Sequence, residues 1–457
     1  FCAYQHGQGE LVSVFTGSAD PLVTVTVGGR TGQLPASTLA NDPMWQACWD
    51  DIESKAILGG TLGGLFGLGL CFGLAVWMRD QGRKAGLDKY ISGTRIVDEK
   101  TLRKLTKPGT DKRSLRIATV GIPAWLECRH FAIVGTTGAG KTTVMRQMLD
   151  QVEARGEPAL VYDTSGEFVA HYYKPERGDI ILNPFDTRSV YWSPFLEIAH
   201  PADADRIARQ LVSETGERDD DVWLETSRIL VANILRVLNA EGRNTLPDLL
   251  NALQAKTKEE MKVWLAGTSS ARTFEDDADR ATGSVLFMLA KASNLLQFLW
   301  GEPGDARSFS FREYFAGIDR IKGDKPWIFV PRKEDFFESM KPLLACWLEC
   351  AASATLGLNP SSSRRLWFFL DELADLPRVD NLTRLLPEGR KFGASVTVTF
   401  QALGQMHRRY GKDSAEALLG CCNSKLYLQI IDRETREWAS RNIGDVEVEI
   451  RSPSDSF

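Results

Sequence analysis

The stretch Phe131-Ala132-Ile133-Val134-Gly135-Thr136-Thr137-Gly138-Ala139-Gly140-Lys141-Thr142-Thr143 decides the fold. Its first four residues form an apolar run of strand length. The next eight read GxxxxGK[ST]. Apolar residues then recur at helical spacing, at Val144, Met145, Met148, Leu149 and Val152. Strand, glycine-rich loop and helix in that order are the context a phosphate-binding loop requires. Glycines let successive backbone N–H groups curl around a phosphate, and the helix N-terminus adds partial positive charge. Residues Gly135, Thr136, Thr137, Gly138, Ala139, Gly140, Lys141, Thr142 and Thr143 are therefore expected to bind ATP. Lys141 would reach the β- and γ-phosphates, and Thr142 would ligate Mg²⁺.

The rest of the nucleotide site follows downstream. Leu366-Trp367-Phe368-Phe369-Leu370 is continuously apolar, as a buried central strand should be, and ends in Asp371-Glu372. Asp371 is placed to hold Mg²⁺, and Glu372 to orient the attacking water. Ala159–Tyr162, Ile180–Leu182, Trp327–Val330, Ser395–Phe400 and Leu426–Ile431 are further strand-like runs interleaved with helical patterns. Alternation of that kind implies a doubly wound α/β fold. Gln401, just after Ser395–Phe400, would face the γ-phosphate if that strand neighbours the Asp371 strand.

Between about His200 and Pro303 the strand pattern lapses. Thr245-x-x-Asp248 and Thr257-x-x-Glu260 are helix-capping signatures, and Val222–Leu238 and Ala281–Trp300 are long amphipathic patterns. An all-helical domain is expected here, inserted between the two nucleotide motifs.

The N-terminal region reads differently. Ala56–Met78 carries no charge over 23 residues, a helix of roughly 34 Å, enough to cross a hydrocarbon core. Trp49 and Trp77 flank it as interfacial anchors. Gly59, Gly63 and Gly67 form a small-residue face suited to packing against another helix. Before Lys55 the only Lys or Arg is Arg30, against six acids; Arg79, Arg83, Lys84 and Lys89 follow the span. The positive-inside rule puts the C-terminal part in the cytoplasm. Residues 1–54 then lie outside, with Leu11–Phe15 and Leu22–Val27 as strands. Cys2 and Cys48 would both fall there, where a disulfide is chemically permitted.

Composition sets the limits. The 457 residues are 43% hydrophobic and 25% charged, ordinary for globular domains and too long for one core. A net charge of -5 excludes binding nucleic acid through a wholesale basic surface, leaving a local patch or pore. Arg364, Arg365, Arg378, Arg384 and Lys391 are possible contributors. The eight cysteines contain no CxxC, and the five histidines are scattered, which argues against a structural zinc. The first residue is Phe1, so the natural N-terminus is expected to lie further upstream.

The order of these parts resembles the type IV secretion coupling proteins of bacterial conjugation, the TraD-like group, with a core similar to FtsK and RecA-type motors. The stretches that carry it are HFAIVGTTGAGKTT, the Asp163-Thr-Ser-Gly-Glu turn, Asn183-Pro-Phe-Asp, FFLDELADLPR, GRKFGASVTVTFQ and CCNSKLYLQIIDRETREWAS. The resemblance implies an ATPase anchored in the bacterial inner membrane, assembled as a homo-hexamer with its catalytic domain cytoplasmic. Its partners would be single-stranded DNA, the relaxase and relaxosome proteins, and the type IV secretion channel with its other ATPases. It also implies functional arginines at Arg129, before the P-loop strand, and at Arg390, as a finger toward a neighbour's phosphate, with Arg433 and Arg436 as rivals. The family usually has a first membrane span and often a C-terminal docking tail, neither visible here.

Together these readings divide the chain into a β-rich periplasmic module (1–54), a transmembrane helix (55–78), a linker leading into the nucleotide-binding domain (79–125), its first part (126–198), the all-α insertion (199–303) and its second part (304–457). The fold expected is a RecA-like P-loop domain with that insertion. A coupling ATPase for protein substrates only, or a receptor scaffold with a structural nucleotide, would carry the same motor residues. An ABC transporter is disfavoured by the lack of an LSGGQ-like signature, and a GTPase by the lack of NKxD.

Overall fold

The computed structural model describes residues 20–27, 29–85, 89–106, 114–212, 222–275, 279–299 and 307–449. The described residues form two compact units, one falling within 1–95 and 446–457 and the other within 96–445.

In the first unit, Leu22–Val27 pairs antiparallel with Arg30–Pro35. Alternation decides which side is covered: Val23 and Val25 are buried with Leu39, while Leu22 and Thr24 face out. Leu11–Phe15 and Cys2 lie outside the described residues. A single helix runs Pro43–Ala85, about 64 Å by its rise per residue. Within it Gln46–Gln81 is long and apolar enough to cross a membrane, and none of its apolar stretch is buried in this chain. Isoleucine, leucine and phenylalanine left exposed along such a length need an apolar surround. A strand Lys89–Gly93 pairs antiparallel with Val446–Glu449.

The second unit is built on a seven-stranded sheet. Its strands are β1 (Phe131–Val134), β2 (Ala159–Asp163), β3 (Ile180–Ile181), β4 (Ile328–Pro331), β5 (Leu366–Leu370), β6 (Ala394–Phe400) and β7 (Ser424–Tyr427). They lie in the order β7-β1-β6-β5-β2-β4-β3, all parallel. Both faces are covered. Phe131 and Ile133 of β1, Val161 of β2 and Phe369 of β5 pack in one core with Met145 and Met148. Their neighbours Ala132, Val134, Leu160 and Phe368 pack in a second core on the opposite face. Burial on both faces is why these strands read as unbroken apolar runs. From β1 the chain passes beyond β6 to reach β2, while from β6 it passes beyond β1 to reach β7. The two crossovers run in opposite directions, so the carboxyl ends of β1 and β6 form a topological switch point.

Helices Asp203–Leu211, Val222–Ala240, Leu246–Gln254, Lys258–Trp264 and Asp279–Leu296 lie between β3 and β4. Thr245 and Thr257 accept hydrogen bonds from the backbone of Asp248 and Glu260, as N-caps. The insertion shares its apolar core with the sheet through helix Phe337–Leu356. Its neck is stitched where Tyr191 and Ser308 bridge. There the buried Glu197 carboxylate accepts from the backbone N–H of Phe311 at 2.8 Å and the indole of Trp192 at 3.2 Å.

Candidate functional site

Loop Gly135–Gly140 leaves the carboxyl end of β1 and turns into helix Lys141–Ala154. Gly138 and Gly140 stand at φ 78° and 99°, a region costly for any residue with a Cβ. Neighbouring backbone pins the loop. Gly135 N–H donates to the Phe400 carbonyl at 3.3 Å, and Thr136 N–H to the Gln429 carbonyl at 2.9 Å. That second bond explains a difference from expectation. β7 stops at Tyr427 rather than Ile431: Leu428 N–H still donates to the Val134 carbonyl of β1 at 2.8 Å, but the Gln429 carbonyl is taken by the loop. Lys141, almost fully buried, donates its ammonium to the Gly135 carbonyl at 2.8 Å and to that of Thr136 at 3.3 Å.

β5 delivers the acids beside this loop. Asp371 accepts from Thr164 Oγ1 and, at 3.1 Å, from Thr399 Oγ1. Thr399 in turn accepts the Glu372 N–H at 3.0 Å. Glu372 is held at φ 53° and ψ 59°, a left-handed conformation that costs on the order of 1–3 kcal/mol for a non-glycine residue. It turns the carboxylate toward Gln401, whose Nε2 donates to Glu372 Oε2 at 3.2 Å. Thr137 Oγ1 donates to Gln401 Oε1 at 3.2 Å. One amide thus ties the phosphate loop to the acid at the end of β5. Burial pushes the Glu372 carboxyl up to about 7, against the lowering effect of Gln401 and Lys141. Its Oε1 is buried with no hydrogen-bond partner, an orphan that a water or cation would satisfy.

The donor set fits magnesium. Thr142 sits in the first turn of the helix, and Asp371 keeps lone pairs beyond the two hydroxyls it accepts. Hydroxyl and carboxylate oxygens beside a phosphate loop are how Mg²⁺ is held, by one or two side chains together with phosphate oxygens. Asp163 is not part of that set. Its carboxylate accepts the N–H groups of Ser165 (3.2 Å), Gly166 (2.8 Å) and Val169 (2.9 Å), organising the turn into helix Glu167–Tyr172.

Arg129 and Arg390 lie elsewhere. Arg129 precedes β1, and Arg390 is in the Gly389–Phe392 turn before β6. Since β1 and β6 are parallel neighbours, both arginines gather at the amino ends of the strands. That is roughly 20 Å along β6 from their own phosphate loop. Arg390 is exposed, and Arg129 stacks its guanidinium over Trp125 at 4.9 Å. His130 fastens this edge. Its Nδ1 accepts the Val396 N–H at 3.1 Å and its Nε2 donates to the Leu386 carbonyl at 2.6 Å. Burial depresses its pKa to about 4, so the ring is neutral.

The sequence pattern of the type IV secretion-system coupling protein DNA-binding domain matches residues 114–457. The chain belongs to the type IV secretion-system coupling proteins. This coupling protein is 26% identical over 449 residues to coupling protein TraD of Escherichia coli K12, covering 98% of this chain and 61% of that relative. Over 94 residues it is 37% identical to a probable conjugal transfer protein TraG of Sinorhizobium fredii, 20% of this chain and 15% of that one. Among solved structures, the bacterial conjugative coupling protein TrwBdeltaN70 matches with TM-score 0.71 and 27% identity, over 79% of this chain and 85% of that chain. TrwB is also solved with ADP and Mg²⁺ and with a non-hydrolysable ATP analogue.

Two of the arginines named above as possible contributors to a DNA-binding patch are committed to other partners. Arg364 is paired with Asp319 and donates to the Asn359 carbonyl, and Arg365 reaches the buried Glu127 at 3.2 Å. Arg378, Arg384 and Lys391 remain substantially exposed. Arg433 is exposed and paired with Glu437 at 2.6 Å, and Arg436 lies in the same helix, Arg433–Ile443. Sequence reasoning missed Thr164 and Thr399, which orient Asp371. Polar residues at Ser395, Thr397 and Thr399 in an otherwise apolar strand were the available signal, since a buried hydroxyl needs a partner.

Proposed function

We propose that this chain is a membrane-anchored ATPase that recruits relaxase-bound single-stranded DNA and drives its transfer through a type IV secretion channel. ATP with Mg²⁺ is the fuel, as the nucleotide complexes of TrwB support. The observation that carries the reading is the Thr137–Gln401–Glu372 chain of hydrogen bonds, which joins a phosphate loop to a buried acid. In this reading Lys141 leaves the loop carbonyls for the β- and γ-phosphates. Thr142 and Asp371 hold the metal, which supplies positive charge to the phosphate oxygens. Glu372 orients the attacking water and takes its proton, and Gln401 keeps that carboxylate aimed while reporting on the γ-phosphate side of the loop.

Arg390 cannot serve its own site across the length of β6, so it would act on a neighbour's, which calls for a ring such as a homo-hexamer. Arg129 on the same edge would support it. The helix Pro43–Ala85 would anchor the chain in the inner membrane, and the basic residues after the span favour a cytoplasmic motor. Equilibrium binding and steady-state hydrolysis of ATP by the full chain, beside Lys141→Ala, test the reading. Hydrolysis lost in the variant supports it, and equal hydrolysis by both would remove Lys141 and the site with it.

A further inference from the structure

Glu372 is one of three non-glycine residues with positive φ among the described residues. Such a turn reverts to ordinary backbone angles unless its surroundings hold it. Two restraints are local: the Thr399 hydroxyl on the Glu372 N–H, and the Asp375 N–H donating to the Glu372 carbonyl at 3.1 Å. A third comes from two strands away. Pro331 ends β4 in register with Asp163 of β2, and the next residue, Arg332, donates its N–H to the Asp163 carbonyl at 2.8 Å. From there its side chain reaches past the end of β2 to the loop after β5. Nη1 meets Asp375 Oδ2 at 2.8 Å and Nη2 meets Glu334 Oε2 at 2.7 Å. The guanidinium lies over Phe337 at 4.3 Å, and the side chain is 16% exposed. A planar, stacked, part-buried guanidinium is a stiff anchor that lysine does not reproduce.

We propose that Arg332 is a positioning residue for ATP hydrolysis: by gripping Asp375 it holds the left-handed Glu372 turn, and so keeps the Glu372 carboxylate against Gln401. This rests on the ATPase reading above and deepens it. Among the described residues the hydrogen bonds, ion pairs and ring contact of Arg332 go to Asp163, Asp375, Glu334 and Phe337, none of them in the P-loop, so its loss should spare nucleotide binding and slow turnover. A displacement of a reacting group by about 1 Å costs roughly a hundredfold in rate.

The test compares wild type, Arg332→Ala, Arg332→Lys, Asp375→Ala and the double Ala variant, as full chains, by nucleotide affinity, kcat and thermal midpoint. Arg332→Ala is expected to lower kcat by about 10- to 100-fold with nucleotide affinity within about twofold. Asp375→Ala should lose as much, the double variant no more than either, and Arg332→Lys should recover part. Asp375 lies at the rim, so its variant carries the test should Arg332→Ala fail to fold. A kcat within about twofold of wild type in both single variants, or a multiplicative loss in the double, overturns the proposal alone. Wild type no faster than Lys141→Ala overturns the ATPase reading and this inference with it.

Discussion

The Gln401 amide nitrogen lies 3.2 Å from Glu372 Oε2, and the other end of the same amide meets Thr137 of the phosphate loop. Whatever moves that loop on nucleotide binding is therefore felt at the acid through one side chain. Glu372→Gln should lower kcat about 10²- to 10⁴-fold while ATP still binds. Gln401→Ala should lower it about tenfold, because the acid remains but is no longer aimed. A Gln401→Ala variant with unchanged kcat and weakened ATP affinity would make the amide a binding group instead.

Arg390 and Arg129 stand at the amino edge of the sheet, and the phosphate loop at its carboxyl edge. A finger so placed works only between protomers. Mixing Arg390→Ala chains with Glu372→Gln chains, each inactive alone, should restore measurable hydrolysis, since an Arg390→Ala site keeps Glu372 and borrows the neighbour's arginine. No recovery at any mixing ratio would rule out the trans assignment.

Gly135 has no room for a side chain. A Cβ there would come within 2.9 Å of Leu428 Cβ and 3.1 Å of Ala139 Cβ. Gly135→Ala should shift the loop at a cost of about 1–3 kcal/mol. That appears as roughly a 5- to 150-fold loss of ATP affinity with little change in thermal midpoint. Wild-type affinity in this variant would show that the loop yields freely.

Glu349, on helix Phe337–Leu356, is buried beneath the start of helix Asp380–Glu388. It accepts from the Asn381 N–H at 2.9 Å and side-chain amide at 2.5 Å. Burial pushes its carboxyl from 4.5 up to about 7, despite the Asn381 bond. Between those values the folded chain holds a proton that the unfolded chain has released. The stabilisation is complete below the unfolded pKa and is lost as pH rises through about 7, on the order of 3 kcal/mol. Thermal midpoints at pH 5 and pH 8 should show wild type losing more than Glu349→Gln. A gap independent of pH would contradict this.

The parts legible in the sequence are those written in local pattern. The glycine loop, the apolar run ending in Asp371-Glu372 and the capped helices of the insertion were all read from a few adjacent residues. Pairings between distant segments were not. Lys89–Gly93 meets Val446–Glu449 across most of the chain, and nothing in either stretch names the other. The fate of arginines was equally hidden. Arg364 and Arg365 read as candidates for DNA, yet each is spent on a carboxylate brought near by folding, Asp319 and Glu127. Conversely Arg332, invisible as chemistry in Pro331-Arg332-Lys333, lies beside the Glu372 turn because β4 sits next to β2 and β2 next to β5.

The central claim is an ATP-driven motor that moves single-stranded DNA, and steady-state ATP hydrolysis by the purified membrane-embedded chain tests it most directly. Rates would be measured with and without single-stranded DNA, at low and high salt, beside Lys141→Ala. The account predicts strong stimulation by single-stranded DNA, absent in Lys141→Ala and fading steeply with salt as phosphate contacts are screened. Hydrolysis that depends on Lys141 but ignores DNA at every salt concentration would contradict it.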